Sequence, residues 1–230
     1  MKLKVASYNI HKAVGLDRRR DPERILSVLH EIDADVVALQ EADRRFGSRS
    51  SCLPRQMIDD HGVYRAVPLD TRPDSIGWHG NALLVRKSVQ VDDAAIVPLP
   101  MLEPRGAIRA DLTIAGRRLR VVGMHLDISG IRRRQQVRTI LAHVAGCAPS
   151  CPTVLMGDLN EWSPTGGALR AFGDHHILAP GRSFHSRQPM AMLDRIIHSP
   201  DIVAEGCGVH HSALAARASD HLPVWAVLHI

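Results

Sequence analysis

Aromatic side chains are scarce, at 3% of a chain of 230 residues. A platform that stacks single-stranded bases draws on several aromatic faces, so this scarcity counts against it. No apolar run approaches the roughly 18 residues that cross a bilayer as a helix. The opening MKLKVASYNIHK turns polar too soon for a secretory signal and reads as a strand of the fold. The four cysteines (Cys52, Cys147, Cys151, Cys207) show no paired CxxC spacing, which argues for reduced thiols in a cytoplasmic protein. HExxH, GxSxG and GxxxxGK[ST] are all missing, which removes the zincin, serine-hydrolase and P-loop readings. Internal repeats, low-complexity blocks and linkers are missing too, so residues 1–230 are expected to form one domain.

What is present is a core and a charge. Hydrophobic residues make up 45% of the chain, and the formal net charge is +5. The charge favours anionic partners weakly. The arginine runs at 18–20, 117–120 and 132–134 are short enough to be solvated faces.

Strands and helices alternate. Leu3–Tyr8 alternates as a strand, and Asp21-Pro22 opens a helix as N-cap and first residue. Ile25, Val28, Leu29 and Ile32 supply that helix with an apolar face, and Asp35–Gln40 returns as a strand. Strands are expected at Ala82–Val85, Ala107–Ile114 and Leu119–Met124, with a hairpin at Ala115-Gly116 between the last two. Val137, Ile140, Leu141 and Val144 mark a second amphipathic helix. Further strands are expected at Thr153–Met156, near Leu193–Ile197 and at Pro223–Leu228. Segments 44–80 and 163–190, rich in Gly, Pro, Ser, Arg and His, read as loops.

The chemistry lies where strands end. In TVLMGDLNEW an aliphatic strand runs into Gly157, Asp158 and Asn160. If the chain stays extended, Asp158 and Asn160 face one space while Leu159 turns to the core, and Gly157 permits a close approach. Taken alone, the stretch reads first as a strand followed by an Asx turn. Other strand ends repeat the pattern, with Asn9 and His11, Glu41, His125, Asp194, and Asp220 with His221. Carboxylate and amide oxygens suit a hard cation such as Mg²⁺ or Mn²⁺, and histidine moves protons near neutrality. That inventory suits phosphoryl chemistry.

The ordered set SYNIH, LQEAD, GNALL, MHLD, MGDLN, LDRI and SDHLPV resembles the endonuclease/exonuclease/phosphatase family, the deoxyribonuclease I-like metal-dependent phosphoesterases. The resemblance spans Ser7 to Val224. It implies a two-sheet α/β sandwich with helices on the outer faces, and hydrolysis by direct attack of water with a divalent cation. By motif, Glu41 corresponds to the principal metal ligand, and Asn9 and Asp220 to its supports. Asp158 corresponds to the residue that positions or activates water, and Asn160 to a phosphate-orienting amide. His221 corresponds to the histidine beside the scissile phosphate, Asp194 to its orienting carboxylate, and His125 to a candidate general acid. Where the apurinic-endonuclease branch bears a tyrosine, this chain has His125, and its only tyrosines are Tyr8 and Tyr64. A glutamate orients the second histidine in deoxyribonuclease-like members, whereas the matching region here holds His79. Arg105 is read either as a phosphate contact or as a structural ion pair.

The expected function is thus a Mg²⁺-dependent (or Mn²⁺-dependent) phosphoester hydrolase, a phosphodiesterase by first reading. The substrate classes are nucleic acid, a phospholipid head group or a small phosphoester. The alternative is a non-catalytic binder of anionic polymers on the same fold.

Overall fold

A computed structural model describes residues 1–44, 50–69, 74–101 and 103–230. In chain order its strands are β1 (Lys2–Asn9), β2 (Val36–Gln40), β3 (Tyr64–Ala66), β4 (Ala82–Arg86), β5 (Gln90–Val97) and β6 (Gly106–Ile114), then β7 (Arg117–His125), β8 (Thr153–Asp158), β9 (His176–Leu178), β10 (Asp194–His198), β11 (Val203–Val209) and β12 (Val224–His229). The helices are α1 (Pro22–Ile32), α2 (Arg55–Asp60), α3 (Gly130–Ala145) and α4 (Ala215–Ala218). The strands form two mixed six-stranded sheets, ordered β11-β12-β1-β2-β4-β3 and β5-β6-β7-β8-β10-β9. β1 runs parallel to β2, and β7 parallel to β8; the other pairings are antiparallel.

Three apolar layers hold the sandwich together. Between the sheets lie Leu3 and Val5 of β1, Val121 of β7, Val154 and Met156 of β8, and Ile196 of β10. Alternate residues of the same strands point outward. Ala6 and Tyr8 meet Ile25, Leu29 and Ile32 of α1 on one side, and Val122, Met124 and Leu155 meet Val137 and Ile140 of α3 on the other. The period-2 strand pattern and the one-faced helices therefore produce a helix–sheet–sheet–helix stack.

Local signals act as expected at α1. The Asp21 side chain accepts from Arg24 N at 3.0 Å, Pro22 occupies the first turn, and Asp33 closes the helix with φ 53°. The two segments read as loops hold short elements. α2 and β3 lie in 44–80, and a 3-10 turn (167–172) and β9 lie in 163–190. Residues 45–49 and 70–73 of the first segment are outside the described residues. β5 and β11, unforeseen from sequence, border the two sheets on one side each, and both are irregular in register. An edge strand buries less, so the apolar alternation that reveals a strand is weak there. No helix among the described residues is long and apolar enough to cross a membrane. All four cysteines are free.

Candidate active site

The inter-sheet rows of side chains turn polar at one end of the sandwich. Along β8, Val154 and Met156 face the opposite sheet, and two residues on comes Asp158. Along β10 the residue two before Ile196 is Asp194, and along β7 the row from Val121 through Gly123 ends at His125. Register aligns these ends, because Asp158 pairs with both His125 and Asp194. Asn9 ends the corresponding row of β1, and its Nδ2 crosses the sandwich to donate to Asp158 Oδ2 at 3.0 Å.

Gly157 explains the close approach within the second sheet. A Cβ built there would stand 1.8 Å from the Met124 carbonyl oxygen of β7. Beyond Asp158 the chain follows the Asx-turn reading of GDLN, not the extended one, apart from the inward Leu159. Leu159 returns to the core, Asn160 takes φ 49°, and Asp158 Oδ1 accepts Asn160 N at 2.9 Å in an Asx turn. The Asn160 amide donates to Leu126 O at 2.9 Å, so it ties the strand end to the loop after β7.

Asp158 is the hub. Its Oδ2 lies 3.3 Å from His125 Nε2 and 3.7 Å from His221 Nε2. His221 Nδ1 meets Asp194 Oδ2 at 2.9 Å, and Ser183 Oγ donates to the same oxygen at 2.5 Å. Asp194 is fully buried and its Oδ1 has no partner among the described residues. The Phe184 ring lies 4.8 Å from the His221 ring, and Ser219 Oγ accepts from His221 N and donates to Asn9 O.

Burial and charge oppose each other here. Burial would strip the proton from His221, yet Asp194 and then Asp158 outweigh it and push its pKa up to about 10. Burial would protonate Asp158, yet His221 and His125 hold its carboxyl well below the usual range. The favoured state is an imidazolium held between two carboxylates.

Glu41 lies beside this hub, just past β2, where Asn9 pairs with Gln40. It adopts φ 54°, and Lys12 donates both from its backbone N to Glu41 O (3.1 Å) and from Nζ to Oε2. Burial opposes its ionisation, but His125, Lys12 and Arg105 together lower its pKa. Asp220 stands at the same end, its Oδ1 3.9 Å from His11 Nδ1. His11 itself donates its N to Asn9 Oδ1 at 3.1 Å and engages Val14 O through its ring. A cleft lined by Lys12, Glu41, Arg105 and His125 opens over these groups.

The donor set decides which cation the site fits. Glu41, Asn9 and Asp220 offer oxygen only, and an ammonium already lies on Glu41, so a positive charge is accommodated there. These residues could hold a hard divalent cation. Asp158, Asp194 and His221 also converge, with one ligand atom of each within 4.8 Å of the others. Their mutual hydrogen bonds and the complete burial of Asp194 make them a proton-holding chain, a poorer seat for an ion.

The structure thus brings Asn9, His125, Asp158, Asp194 and His221 into direct contact, with Glu41 beside them and Asn160 and Asp220 at the margin. Arg105 makes the structural ion pair of the second sequence reading and adds a contact that neither reading foresaw. It donates to the His125 ring while pairing with Glu103 at 3.4 Å. Lys12, Ser183 and Phe184 were not singled out from sequence. For Lys12 the signal was available, directly after His11 in NIHK. For Ser183 and Phe184, within a segment read as loop, there was none.

The model of the endonuclease/exonuclease/phosphatase family matches residues 6–221. The chain belongs to that family. Its members are phosphoesterases. Among solved structures, human nocturnin's catalytic domain with bound sulfate superposes with a TM-score of 0.75 at 19% identity, covering 99% of this chain and 94% of that one. A mannosyl-6-phosphatase of Bacteroides thetaiotaomicron gives 0.74 at 19% identity, covering 99% and 100%. TDP2 of D. rerio, complexed with a single-strand DNA product, gives 0.71 at 17% identity, covering 100% and 99%. At such identities the likeness concerns the fold. A comparison with curated proteins returns no match.

Proposed function

We propose that this chain is a divalent-metal-dependent phosphoester hydrolase that prefers phosphodiesters and attacks phosphorus directly with water, residues 1–230 acting as one domain. The observation that carries the reading is the Asp194–His221–Asp158 chain, set on one register line with His125 and walled by Asn9. Glu41, with Asn9 and Asp220, would hold Mg²⁺ or Mn²⁺. When bound, such a cation neutralises phosphate charge and stabilises the oxyanion that develops.

The protein's own groups do the rest. Asp158, kept ionised by its neighbours, presents a carboxylate lone pair to orient water and draw off its proton. His221, kept protonated by Asp194, faces the charge that builds on phosphorus-bound oxygen. Asn160 orients the phosphate. His125 is the candidate general acid for the leaving oxygen in its protonated form, which requires its ring to release Arg105. The four free thiols support a reducing, cytoplasmic setting.

The test is p-nitrophenol release from bis(p-nitrophenyl) phosphate and from the monoester, with Mg²⁺ and Mn²⁺. Turnover of the diester, abolished by EDTA and by Asp158→Asn, is expected. The second reading, an anionic-polymer binder, draws on the +5 charge. Silence toward all phosphoesters with retained, salt-sensitive DNA binding would establish it instead.

A further inference from the structure

Six large hydrophobic side chains are exposed among the described residues: Met101, Ile128, Ile131, Trp162, Met190 and Val203. All but Val203 lie on segments that meet at the catalytic end. A polar knot shows how. Arg133 of α3 donates to Ile128 O at 2.7 Å and to Glu161 Oε2 at 3.2 Å, next to Trp162. Gln136, one turn on, accepts from Asp127 N at 2.9 Å and donates to Pro100 O at 3.0 Å, next to Met101. Phe184 joins the other flank. Its ring lies 6.3 Å from Trp162, its carbonyl accepts from Met190 N at 2.7 Å, and its ring also touches His221.

The segments that carry the apolar residues are thus tied together by buried and part-buried hydrogen bonds while those side chains stay in water. Ile128, Ile131, Trp162 and Met190 are each 62% exposed or more. Exposed aliphatic side chains are ordinary when scattered, but grouped around one opening they mark a contact surface.

Charge says what the contact is with. The segments 99–105, 126–138, 160–170 and 182–190 carry eight arginines and three acids, Glu103, Asp127 and Glu161. Asp127 and Glu161 are buried, and so is Arg133, which pairs with Glu161; seven arginines and Glu103 are left. The 16 residues of α3 contain no acid. An apolar rim in a cationic frame is complementary to an anionic lipid surface, with aliphatic groups entering below the head groups and guanidinium groups meeting phosphate. Nucleic acid fits less well, because four of the five rim residues have no ring on which a base could stack.

We propose that Met101, Ile128, Ile131, Trp162 and Met190 form a membrane-docking rim that seats the catalytic mouth on a bilayer rich in anionic head groups. The rim would bring a phosphoester carried by an amphiphile to the site, and its binding needs no turnover.

Flotation with vesicles tests it, in EDTA so that catalysis plays no part. Phosphatidylcholine vesicles with phosphatidylglycerol added should carry the protein, pure phosphatidylcholine far less, and salt should weaken the binding. Ile128→Ser with Ile131→Ser should cut the bound fraction roughly tenfold. Hydrolysis of a soluble diester and the thermal midpoint should not change, because both side chains are exposed and neither contributes to the core. Trp162→Phe should reduce a vesicle-induced blue shift of emission, because Trp78 and Trp225 are partly buried and Trp162 is exposed. Absence of flotation, or equal flotation of the wild type and the double serine variant, overturns the proposal. So does loss of duplex-DNA binding, or of self-association, in that variant without vesicle binding in the wild type. The hydrolase reading fails separately, through silence toward soluble diesters.

Discussion

The two ends of β7 carry two charge networks built to opposite plans. At its start Arg120 donates Nε and Nη2 to Asp111 at 2.7 and 3.0 Å, and Arg109 Nη1 meets the same carboxylate at 2.6 Å. Arg120 also reaches Val144 O and Pro149 O, which fastens the end of α3 to the sheet. Each of these side chains is ion-paired, although Arg109 Nε keeps no partner among the described residues. At its other end His125, Asp158, His221 and Asp194 crowd together, Asp194 keeps an unpartnered oxygen, and Glu41 is held by a lysine at the lip of a cleft. One network pairs arginines with carboxylates away from the cleft and resists change. The other sets histidines and carboxylates beside a cleft, where a substrate can reach them.

The sharpest way to test the contrast is to break both ends and compare losses. His221→Ala and Asp194→Asn should each lower turnover by roughly 10³-fold or more, and the double variant should be little worse than the worse single. Losses that multiply would show two independent residues and dissolve the pair. Glu41→Gln keeps the shape and removes the charge. A loss of about 10²-fold in turnover is expected, with weaker Mg²⁺ binding by calorimetry. Unchanged metal titrations would remove Glu41 from the metal site.

At the arginine end the losses should appear in stability. Arg120→Met should cost about 2 kcal/mol in urea unfolding, a value tempered by the partial exposure of Asp111, while turnover per folded molecule stays the same. Gly157→Ala tests the strand contact beneath the site. Its methyl group collides with Met124 O, so a loss of about 2–3 kcal/mol and a lower melting temperature are expected. A variant as stable as the parent would mean that β7 and β8 can separate freely.

The smallest effect is in pH. Burial works to raise the Asp111 pKa, but the two arginines lower it on balance. Its stabilisation is therefore present above the ordinary value of 3.8 and lost as pH falls through the depressed folded value. His221 runs the other way. Its folded pKa is raised, so in metal-free protein its contribution is full below 6.5 and lost as pH rises through about 10. Urea midpoints across pH should show Arg120→Met flattening the acid limb alone and Asp194→Asn the alkaline limb alone. A single limb moved by both would mean that the networks are coupled through β7.

The chain order of its polar strand ends is what the sequence determined by itself. Strand periodicity sets which residues share a face, so Asp158 and Asp194 had to extend the rows of Val154–Met156 and Ile196 wherever those strands packed. The Asp21-Pro22 start of α1 was local and legible for the same reason. The tertiary structure alone decided who meets whom. Asn9 reaches Asp158 across 149 positions and His221 reaches Asp194 across 27, through strand order that no local pattern encodes. Lys12 on Glu41, Arg105 on His125 and Ser183 on Asp194 depend on loops whose paths are set by packing. Propensity acts over a few residues, whereas these contacts appear only once two sheets close on a common core and bring the polar ends of their rows together.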